Sequence, residues 1–281
     1  MQKIKVTKWA LLLFILIGNF SNTIAQKNWT LLFNGKDLSG WDTYIGPDLD
    51  SNGKMLTQIP VGLNKDPKQV FTIVEQNSEK LIRISGESWG GISTHQEYQN
   101  FHLKLKFKWG NLSWGQKRNK KKDSGLLYYA VGQHGADYGA WMRSQEFQIE
   151  EGNSGDYWGV AGGVEDIHAI KNGIDYTYDP GGELLKFSAD SEAGRHCIKK
   201  GDAENVTGEW NNLDLYCFNG TSVHIINGKV MMVLLNSREA DNGQESPLIK
   251  GKLQIQSEGA EVFYKDIKIK SLSFIPTKLL K

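Results

Sequence analysis

The amino-acid sequence predicts an all-β protein built as a two-sheet antiparallel jelly-roll sandwich. Short segments of alternating apolar and polar residues recur along the chain, as expected of half-buried strands. Glycine-rich turns separate these segments, and no segment shows sustained helical periodicity with caps. In a chain of 281 residues, many short antiparallel strands favour two sheets that pack face to face around a shared core.

The clearest strand is predicted at residues 101–109, where apolar side chains alternate without a fault with polar and basic ones. Asn219 followed by Gly220 and Asn227 followed by Gly228 are typical of two-residue hairpin turns, because both central positions of a type I′ turn need a positive φ. These two turns connect three consecutive strands into a meander. The further predicted strands are 70–75, 81–85, 126–131, 213–218, 223–226, 230–235 and 262–272.

The amino-terminal segment predicts a cleavable secretory signal peptide at residues 1–25. Three lysines precede an apolar run at 9–17, which is shorter than the ~20 residues of a membrane span. Ala25 is the small residue before the expected cut, and no cysteine follows the run to carry a bacterial lipid anchor. We expect a secreted or periplasmic protein with no membrane association once the signal is removed.

Residues 26–281 are predicted to form a single β-sandwich domain, because no linker, low-complexity tract or internal repeat interrupts them. The whole chain carries 33 basic and 32 acidic residues, and removal of the signal leaves a net charge of −2. This balance argues against nucleic acid or an anionic membrane as a partner. The basic run at 117–122 lies between glycine-containing turns, and we expect a solvated hairpin loop there rather than a binding patch.

The two cysteines, Cys197 and Cys217, leave two interpretations open. In an exported chain they could form a disulfide. Cys217 falls on the inward side of a predicted strand, so a buried free thiol is equally consistent with the pattern.

Residues 144–151 predict a strand that carries an acidic face. Glu146, Gln148 and Glu150 alternate with Phe147 and Ile149, so the polar side chains would share one face while the apolar ones enter the core. Two carboxylates with an amide between them suit proton transfer or metal binding. The solvated outer face of an ordinary amphipathic strand would show the same alternation.

Aromatic residues accompany this strand in the sequence. Sugar rings stack on flat apolar faces while their hydroxyl groups need polar partners, so the concave face of a sandwich with aromatic and acidic side chains would suit a carbohydrate. The aromatic residues concerned are Trp114, Tyr128, Tyr138, Trp141, Tyr157 and Trp158.

Eight short motifs occur in a specific order between residues 29 and 272. They are 32–41 (LFNGKDLSGW), 123–126 (DSGL), 146–151 (EFQIEE), 155–159 (GDYWG), 208–211 (GEWN), 227–229 (NGK), 251–260 (GKLQIQSEGA) and 264–267 (YKDI). In these motifs the chain resembles the 3-keto-disaccharide hydrolase family, also described as 3-keto-glucoside 1,2-lyase and 3-keto-2-hydroxyglucal hydratase. The resemblance implies a concanavalin-like lectin and glucanase fold.

The resemblance also implies an enzyme that cleaves 3-keto-glycosides, which are 3-keto-disaccharides or 3-keto-glucosides. A ketone at C3 makes the C2 proton acidic, so a base can remove it, an enolate forms and the group on C1 leaves. Addition of water would then give net hydrolysis. The substrate would be an oxidised glycoside, supplied by a sugar 3-dehydrogenase that acts upstream.

The family motif assigns roles on the acidic strand. Glu146 and Glu151 match its acidic positions and are the expected catalytic pair, with Glu146 as base or metal ligand and Glu151 as acid. Gln148 matches its amide and is expected to donate a hydrogen bond to substrate. A bulge after Ile149 would exchange the faces of Glu150 and Glu151.

Further candidates lie near this strand in the sequence. His134 is expected to act as acid, base or metal ligand at the rim, or to be a surface loop residue. Arg143 could neutralise an enolate oxygen or pair with Glu146. The remaining expected substrate-binding residues are Trp141, Tyr128, Trp158 and Asp123, and Asp123 could equally be the cap of a turn. A divalent metal ion is a possible cofactor, and its candidate ligands are Glu146, Glu150 and His168.

Two other classes of function stay open at this level. Retaining β-glucanases with this sandwich carry Glu-x-Asp-x-Glu or Glu-x-Asp-x-x-Glu on the catalytic strand, and here Gln148 replaces the central aspartate. Such hydrolysis needs an ionised nucleophile and a protonated acid about 5 Å apart. A non-catalytic carbohydrate-binding module would use the aromatic and amide groups but has no need of clustered carboxylates.

Overall fold

A computed structural model describes residues 28–281. The predicted signal peptide, residues 1–25, lies outside the described residues, so its cleavage stays a prediction. Within the described part of the chain, no helix has the length and apolar character needed to cross a membrane. The helical segments described are two short 3-10 helices, Gly115–Lys117 and Thr277–Leu279.

Twenty strands make up the rest of the regular structure. In chain order they are β1 (Thr30–Leu31), β2 (Trp41–Leu49), β3 (Met55–Leu63), β4 (Phe71–Gln76), β5 (Glu79–Ile84), β6 (Gly90–Thr94), β7 (Phe101–Ser113), β8 (Asp123–Val131), β9 (Arg143–Glu150), β10 (Tyr157–Val160), β11 (Gly163–Asn172), β12 (Asp175–Tyr178), β13 (Glu183–Phe187), β14 (His196–Cys197), β15 (Asn211–Phe218), β16 (Thr221–Ile226), β17 (Lys229–Asp241), β18 (Gln244–Pro247), β19 (Lys252–Ser257) and β20 (Ala260–Ser271).

The strands form two large sheets. The path of the twelve-stranded sheet is β12-β11-β17-β16-β15-β7-β20-β5-β4, with β1 beside β20, β13 beside β11 and β18 beside β17. The order of the eight-stranded sheet is β14-β10-β9-β8-β19-β6-β2-β3. Neighbouring strands pair antiparallel, as β8 does with β9 and β7 with β20. The prediction of an all-β, two-sheet antiparallel architecture is confirmed.

The main hydrophobic core lies between the inner faces of the two sheets. Phe147 and Ile149 from β9 join Leu103 and Leu105 from β7 in one buried cluster, with at most 1% of each side chain exposed. Each predicted strand overlaps an observed one, because strict alternation identifies both a strand and the face that it buries. The strand predicted at 101–109 continues to Ser113 as β7.

The predicted meander is also present. Asn219 and Gly220 have φ values of 48° and 75°, and Asn227 and Gly228 have 47° and 81°. The two turns with these positive φ values connect β15, β16 and β17, which pair as consecutive antiparallel neighbours.

Cys197 and Cys217 are both buried free thiols. Of the two interpretations that the sequence left open, the structure has the unpaired one. Burial raises the pKa of both thiols well above the ordinary range, which keeps them protonated and unreactive.

Candidate active site

A cavity of about 640 Å³ opens on the outer face of the eight-stranded sheet, opposite the face that enters the core. Phe147 and Ile149 point into the core, whereas Glu146, Gln148 and Glu150 line the cavity, so the predicted division of the acidic strand is confirmed. The full lining comprises Trp89, Gln116, Lys117, Lys120, Lys121, Asp123, Asp137, Tyr138, Trp141, Glu146, Gln148, Glu150, Trp158, Val160, Arg195, Gln256 and Glu258.

Strand register brings polar side chains from neighbouring strands together on this face. Asp123 at the start of β8 lies opposite Glu150 at the end of β9, and Trp158 of β10 lies opposite Glu146. Because residues directly opposite each other in antiparallel strands point to the same face, these groups meet in the cavity.

Gly125 provides space at the floor of the cavity. Gly125 is on β8 and lies opposite Gln148 of β9. A Cβ atom at this position would overlap Oε1 of Glu146 and Oε1 of Gln256. Because Gly125 has no side chain, the side chains of Glu146 and Gln256 can lie directly over the backbone of β8.

Glu146 is a deeply buried carboxyl group of the cavity, with 5% of the residue exposed against 4% for Asp123. Burial, reinforced by the charge of Asp123, raises the pKa of Glu146 well above the usual range of a glutamate. The side-chain amide of Gln148 is oriented with its nitrogen toward two acceptors. This nitrogen donates to Oε1 of Glu146 and to the carbonyl of Ser124, both at 3.0 Å. Glu146 is therefore favoured as a neutral acid in a fixed position.

Lys117 links two other carboxylates of the site. Its Nζ donates to Asp123 and lies 3.5 Å from Oε1 of Glu150. Burial by itself would lower the pKa of Lys117. The nearby acidic groups, among them Asp123 and Glu258, together have the larger effect, so the pKa of Lys117 is raised. Burial raises the pKa of Asp123 to about 6, against the opposing charge of Lys117. At neutral pH the Lys117 to Asp123 contact is therefore an ion pair.

Arg195 contributes a second cation beside the acidic strand. Its Nη1 donates to Oδ2 of Asp137 at 2.9 Å, and its guanidinium lies 5.6 Å from the ring centroid of Trp158. Its backbone carbonyl accepts from the amide of Gly159 at 2.8 Å, which fixes this segment to β10. His196 stacks on Trp158 with ring centroids 4.2 Å apart.

An aromatic wall of Trp89, Tyr138 and Trp141 borders the cavity. The rings of Trp89 and Trp141 are stacked with centroids 5.3 Å apart, and Tyr138 meets both rings edge-on. Trp141 donates its indole N–H to the carbonyl of Gly90, which holds the stack against β6. Flat apolar faces beside charged groups are the features that recognise a sugar ring.

Seven residues predicted from the sequence meet in this cavity, namely Asp123, Tyr138, Trp141, Glu146, Gln148, Glu150 and Trp158. Their proximity is a structural finding, and their roles in binding or catalysis remain a proposal.

Glu151 does not join them. The pairing of Ser124 with Ile149 and of Asp123 with Glu150 is continuous, so β9 has no bulge after Ile149 and Glu150 keeps the cavity face. Glu151 lies in the following turn, where its carboxylate accepts from the hydroxyl of Thr207 and pairs with Lys122. In the structure Glu150 occupies the place in the cavity that the sequence analysis gave to Glu151.

Tyr128 and Arg143 point away from the cavity. Tyr128 is fully buried in the core, where its hydroxyl lies 3.2 Å from Nε2 of His224. Arg143 lies four residues before Phe147, so the two side chains leave β9 on the same side. The guanidinium nitrogens of Arg143 pair with carboxylate oxygens of Glu239 and Asp241 at 2.9 Å each. Arg143 does not contact Glu146, because odd-numbered side chains of β9 leave the sheet on the opposite face.

The two histidine candidates lie elsewhere. His134 stacks on Tyr44 with ring centroids 5.0 Å apart and does not line the cavity, and burial lowers its pKa. His168 is on β11 of the other sheet, where Nδ1 contacts the carbonyl of Gly182 at 2.9 Å, so it does not join Glu146 and Glu150. In residues 28–281, no group of three or more His, Cys, Asp or Glu side chains is arranged to hold a metal ion.

Several cavity residues were not predicted from the sequence. Lys117, Lys120 and Lys121 belong to the basic run that was interpreted as a solvated loop, yet all three line the cavity. Arg195 lies in an irregular segment between β13 and β14 and has no periodic signal. Glu258 lies within the motif at 251–260. It comes two residues after Gln256, and this spacing could have indicated that both side chains lie on the same face of the sheet.

Comparison with known proteins gives one family match. A family model described as a 3-keto-α-glucoside-1,2-lyase-like domain matches residues 28–270. No curated protein sequence matches the chain significantly.

Several solved structures are similar. A protein from Parabacteroides distasonis ATCC 8503 described as a "putative glycosyl hydrolase" has 22% identity and a TM-score of 0.48, covering 87% of this chain and 94% of its own. A second with that description from the same organism has 17% identity and a TM-score of 0.44, covering 87% and 100%. A Bacillus subtilis protein of unknown function with a galectin-like fold has 10% identity and a TM-score of 0.47, covering 87% and 95%.

Proposed function

The chain belongs to the 3-keto-α-glucoside-1,2-lyase-like domain family, and from this premise we propose that it cleaves 3-keto-glycosides by removing the C2 proton and eliminating the group on C1. Such a reaction needs a base for the C2 proton, a cation or donor for the enolate oxygen, and an acid for the leaving oxygen. The cavity offers side chains for each of these three tasks.

The observation that carries the proposal is the pairing of a neutral carboxyl with an ionised one on the same sheet face. Burial keeps a proton on Glu146, whereas Asp123, with a pKa of about 6 beside Lys117, is mostly ionised at neutral pH. Two carboxyl groups with pKa values set apart by their surroundings are typical of an acid and a base that act together.

We assign Asp123 as the base, with Glu150 beside it, and Glu146 as the acid. Asp123 takes the C2 proton, the C2–H electron pair forms the enolate, and Lys117 stabilises the negative oxygen. The enolate collapses, the C1–O bond breaks, and Glu146 gives its proton to the departing oxygen. This differs from the sequence-based expectation of Glu146 as base, because the raised pKa favours its protonated form.

Net hydrolysis would follow if the unsaturated sugar stays bound. The ionised Glu146 can take a proton from a water molecule that attacks C1, and Asp123 can return a proton to C2. Both carboxyl groups then regain their starting protonation states, so the cycle is balanced.

We further propose that residues 26–281 act as one catalytic domain outside the cytoplasm after removal of the signal peptide. The oxidised glycoside would then come from a separate exported sugar 3-dehydrogenase. Fractionation of cells that produce the protein, with mass measurement of its amino terminus, tests this. Mature protein in the cytosol with an uncut leader would exclude it.

The test of activity uses purified residues 26–281 with a 3-keto-glucoside and, in parallel, with its unoxidised parent. Release of the C1 group from the keto sugar alone supports elimination, and the mass of the sugar product distinguishes the unsaturated product from the hydrated one. Equal release from both sugars would indicate an ordinary glycosidase. Binding without release would indicate a carbohydrate-binding module, and a parallel run with a chelator reports any metal requirement.

A further inference from the structure

A row of lysines lies on the outer face of the twelve-stranded sheet, away from the sheet that carries the candidate active site. Leu103 and Leu105 of β7 and Tyr264 and Ile269 of β20 enter the core, so the side chains next to them in each strand point outward. We call the outward lysines the basic stripe. It consists of Lys104, Lys106 and Lys108 of β7 and Lys265, Lys268 and Lys270 of β20.

The pairing of β7 with β20 places like charges directly opposite each other. Lys106 lies opposite Lys265, and Lys104 lies opposite Lys268. Such pairs in antiparallel strands are destabilising. Fold stability therefore does not account for the basic stripe, whereas a bound polyanion would relieve the repulsion.

Carboxylates neutralise only part of the basic stripe. The partners are Asp214 for Lys104, Asp266 for Lys106 and Glu79 for Lys265. Within residues 28–281, Lys108, Lys268 and Lys270 have no carboxylate oxygen within 4.0 Å, and Lys108 donates instead to the neutral amide of Gln76. The stripe thus has a local surplus of positive charge, although the net charge of the whole chain is only +1.

Two tryptophans hold the ammonium groups of the basic stripe in place. Nζ of Lys268 and Nζ of Lys270 lie 5.2 and 4.9 Å from the ring centroid of Trp29. Nζ of Lys265 lies 4.4 Å from the ring centroid of Trp210. Attraction between each cation and the ring beneath it favours these positions. A ligand that approaches from this side meets positive charge before it meets an indole ring.

We infer that the basic stripe binds an acidic polysaccharide, whose carboxylate or sulfate groups pair with the lysine ammonium groups. Lysines at every second residue of β7 are about 7 Å apart, so a chain of repeated negative charges can follow the strand. The stripe contains no arginine, whose planar fork suits phosphate, and its indole rings are covered by cations. Both features favour a polysaccharide over single-stranded nucleic acid, which needs open aromatic rings for base stacking.

The inference does not depend on the proposed function, because the basic stripe and the candidate active site are on different sheets. The test measures binding of purified residues 26–281 to polygalacturonate, which carries carboxylates, and to dextran sulfate. Neutral dextran is the uncharged control polymer.

The variant of the stripe combines Lys268→Gln with Lys270→Gln, which leaves no carboxylate partner behind. The matched control combines Lys54→Gln with Lys65→Gln. These two exposed lysines flank β3 in the other sheet. Both double variants remove the same net charge from the protein, so a difference between them reports the position of the charge.

We expect the wild type to bind one or both acidic polymers, to bind no dextran, and to lose affinity as salt is added. The stripe variant should bind about tenfold more weakly at low salt, and its slope of log affinity against log salt should be smaller by about 2. The control variant should bind like the wild type. Without polymer, the stripe variant should melt at the wild-type temperature or above it, because it removes opposed like charges.

Absence of binding to both acidic polymers would overturn the inference, as would equal losses in the two double variants. An oligodeoxythymidine and vesicles that contain phosphatidylserine are measured in parallel. Tighter binding to either of these than to both polysaccharides would overturn the polysaccharide as the ligand. Preference for polygalacturonate or for dextran sulfate identifies the carboxylate or the sulfate as the group that the stripe recognises.

Discussion

The amide nitrogen of Gln148 lies 3.0 Å from Oε1 of Glu146, two residues apart on one face of β9. An aspartate at this position would bring a second negative charge to the same contact. The glutamine instead donates a hydrogen bond to a carboxyl group that burial keeps neutral. This relationship separates the site from the Glu-x-Asp-x-Glu pattern of retaining glucanases. The hydrogen bond fixes the position of Glu146, while burial favours its protonated form.

Glu146→Gln should abolish most activity while the protein stays folded. Removing a positioned acid costs about 10²- to 10⁴-fold in rate. Glutamine has nearly the shape of the neutral glutamic acid, so the melting temperature should change little. Release of the C1 group from a 3-keto-glucoside measures the first effect and thermal unfolding the second.

Glu151→Gln is the matched control for that substitution. Glu151 lies in the adjacent turn and contacts Thr207 and Lys122 outside the cavity. We expect activity close to wild type. A loss as large as that of Glu146→Gln would restore Glu151 to the catalytic pair that the sequence alone indicated.

Asp123 should make stability depend on pH in a defined direction. Burial raises its pKa from 3.8 to about 6, so between these values the folded protein holds more protons than the unfolded chain. The free energy of unfolding contributed by this group is therefore greatest at low pH and falls as the pH rises from about 4 to about 6. The loss is at most about 3 kcal/mol.

Asp123→Asn isolates this effect, because it removes the titrating group and leaves the other carboxylates. Denaturant unfolding of both proteins at pH 4, 5, 6 and 7 gives the difference in their free energies of unfolding. That difference, wild type minus variant, should decrease with pH. A difference that is constant or increases with pH contradicts the assigned direction.

Lys117→Met should destabilise the protein most at neutral pH. It leaves Asp123 and Glu150 without their shared cation, and breaking a buried pair costs about 3 to 5 kcal/mol. The loss should shrink near pH 5, where Asp123 takes up a proton. Lys80→Met removes an exposed pair with Glu75 and should cost less than about 1 kcal/mol. Equal losses for the two variants would show that the Lys117 pair is not effectively buried.

Gly125→Ala should displace Glu146 and Gln256 together. The added Cβ overlaps an oxygen of each side chain, although the backbone angles at Gly125 are ordinary. We expect a loss of stability of about 1 to 3 kcal/mol and a fall in activity of about 10- to 100-fold. Gly181→Ala is the control, since its Cβ would meet only Oδ1 of Asp179 at 3.4 Å. Wild-type activity in Gly125→Ala would show that the two side chains can move without consequence.

Alternation explains which parts of the site could be predicted. Glu146, Gln148 and Glu150 were found because a period of two separates the cavity face from the core face along β9. Tyr128 was misplaced because residues 126–131 are almost continuously apolar, and such a run does not reveal which side chains face inward. The register shift between Tyr128 and Val131 adds a further irregularity that the sequence does not display.

The cations of the site depend on contacts between distant segments. Lys117 belongs to a run that is expected to be solvated, and its contacts with Asp123 and Glu150 place it in the cavity. Arg195 reaches the cavity through a backbone hydrogen bond between its carbonyl and Gly159, 36 residues earlier. Local sequence patterns do not show which distant segments come into contact. For this reason more of the fold than of the site could be predicted from the sequence.

The central position of β19 governs when the cavity can form. Strand β19 lies between β8 and β6, and it connects the β2, β3 and β6 part of its sheet to the strands that carry Asp123 and Glu146. Because residues 252–257 come late in the chain, the sheet remains in two parts until they are available. The local meander of β15 to β17 can fold earlier. A polypeptide that is synthesised from its amino terminus therefore acquires its complete cavity only after almost the whole chain has been made.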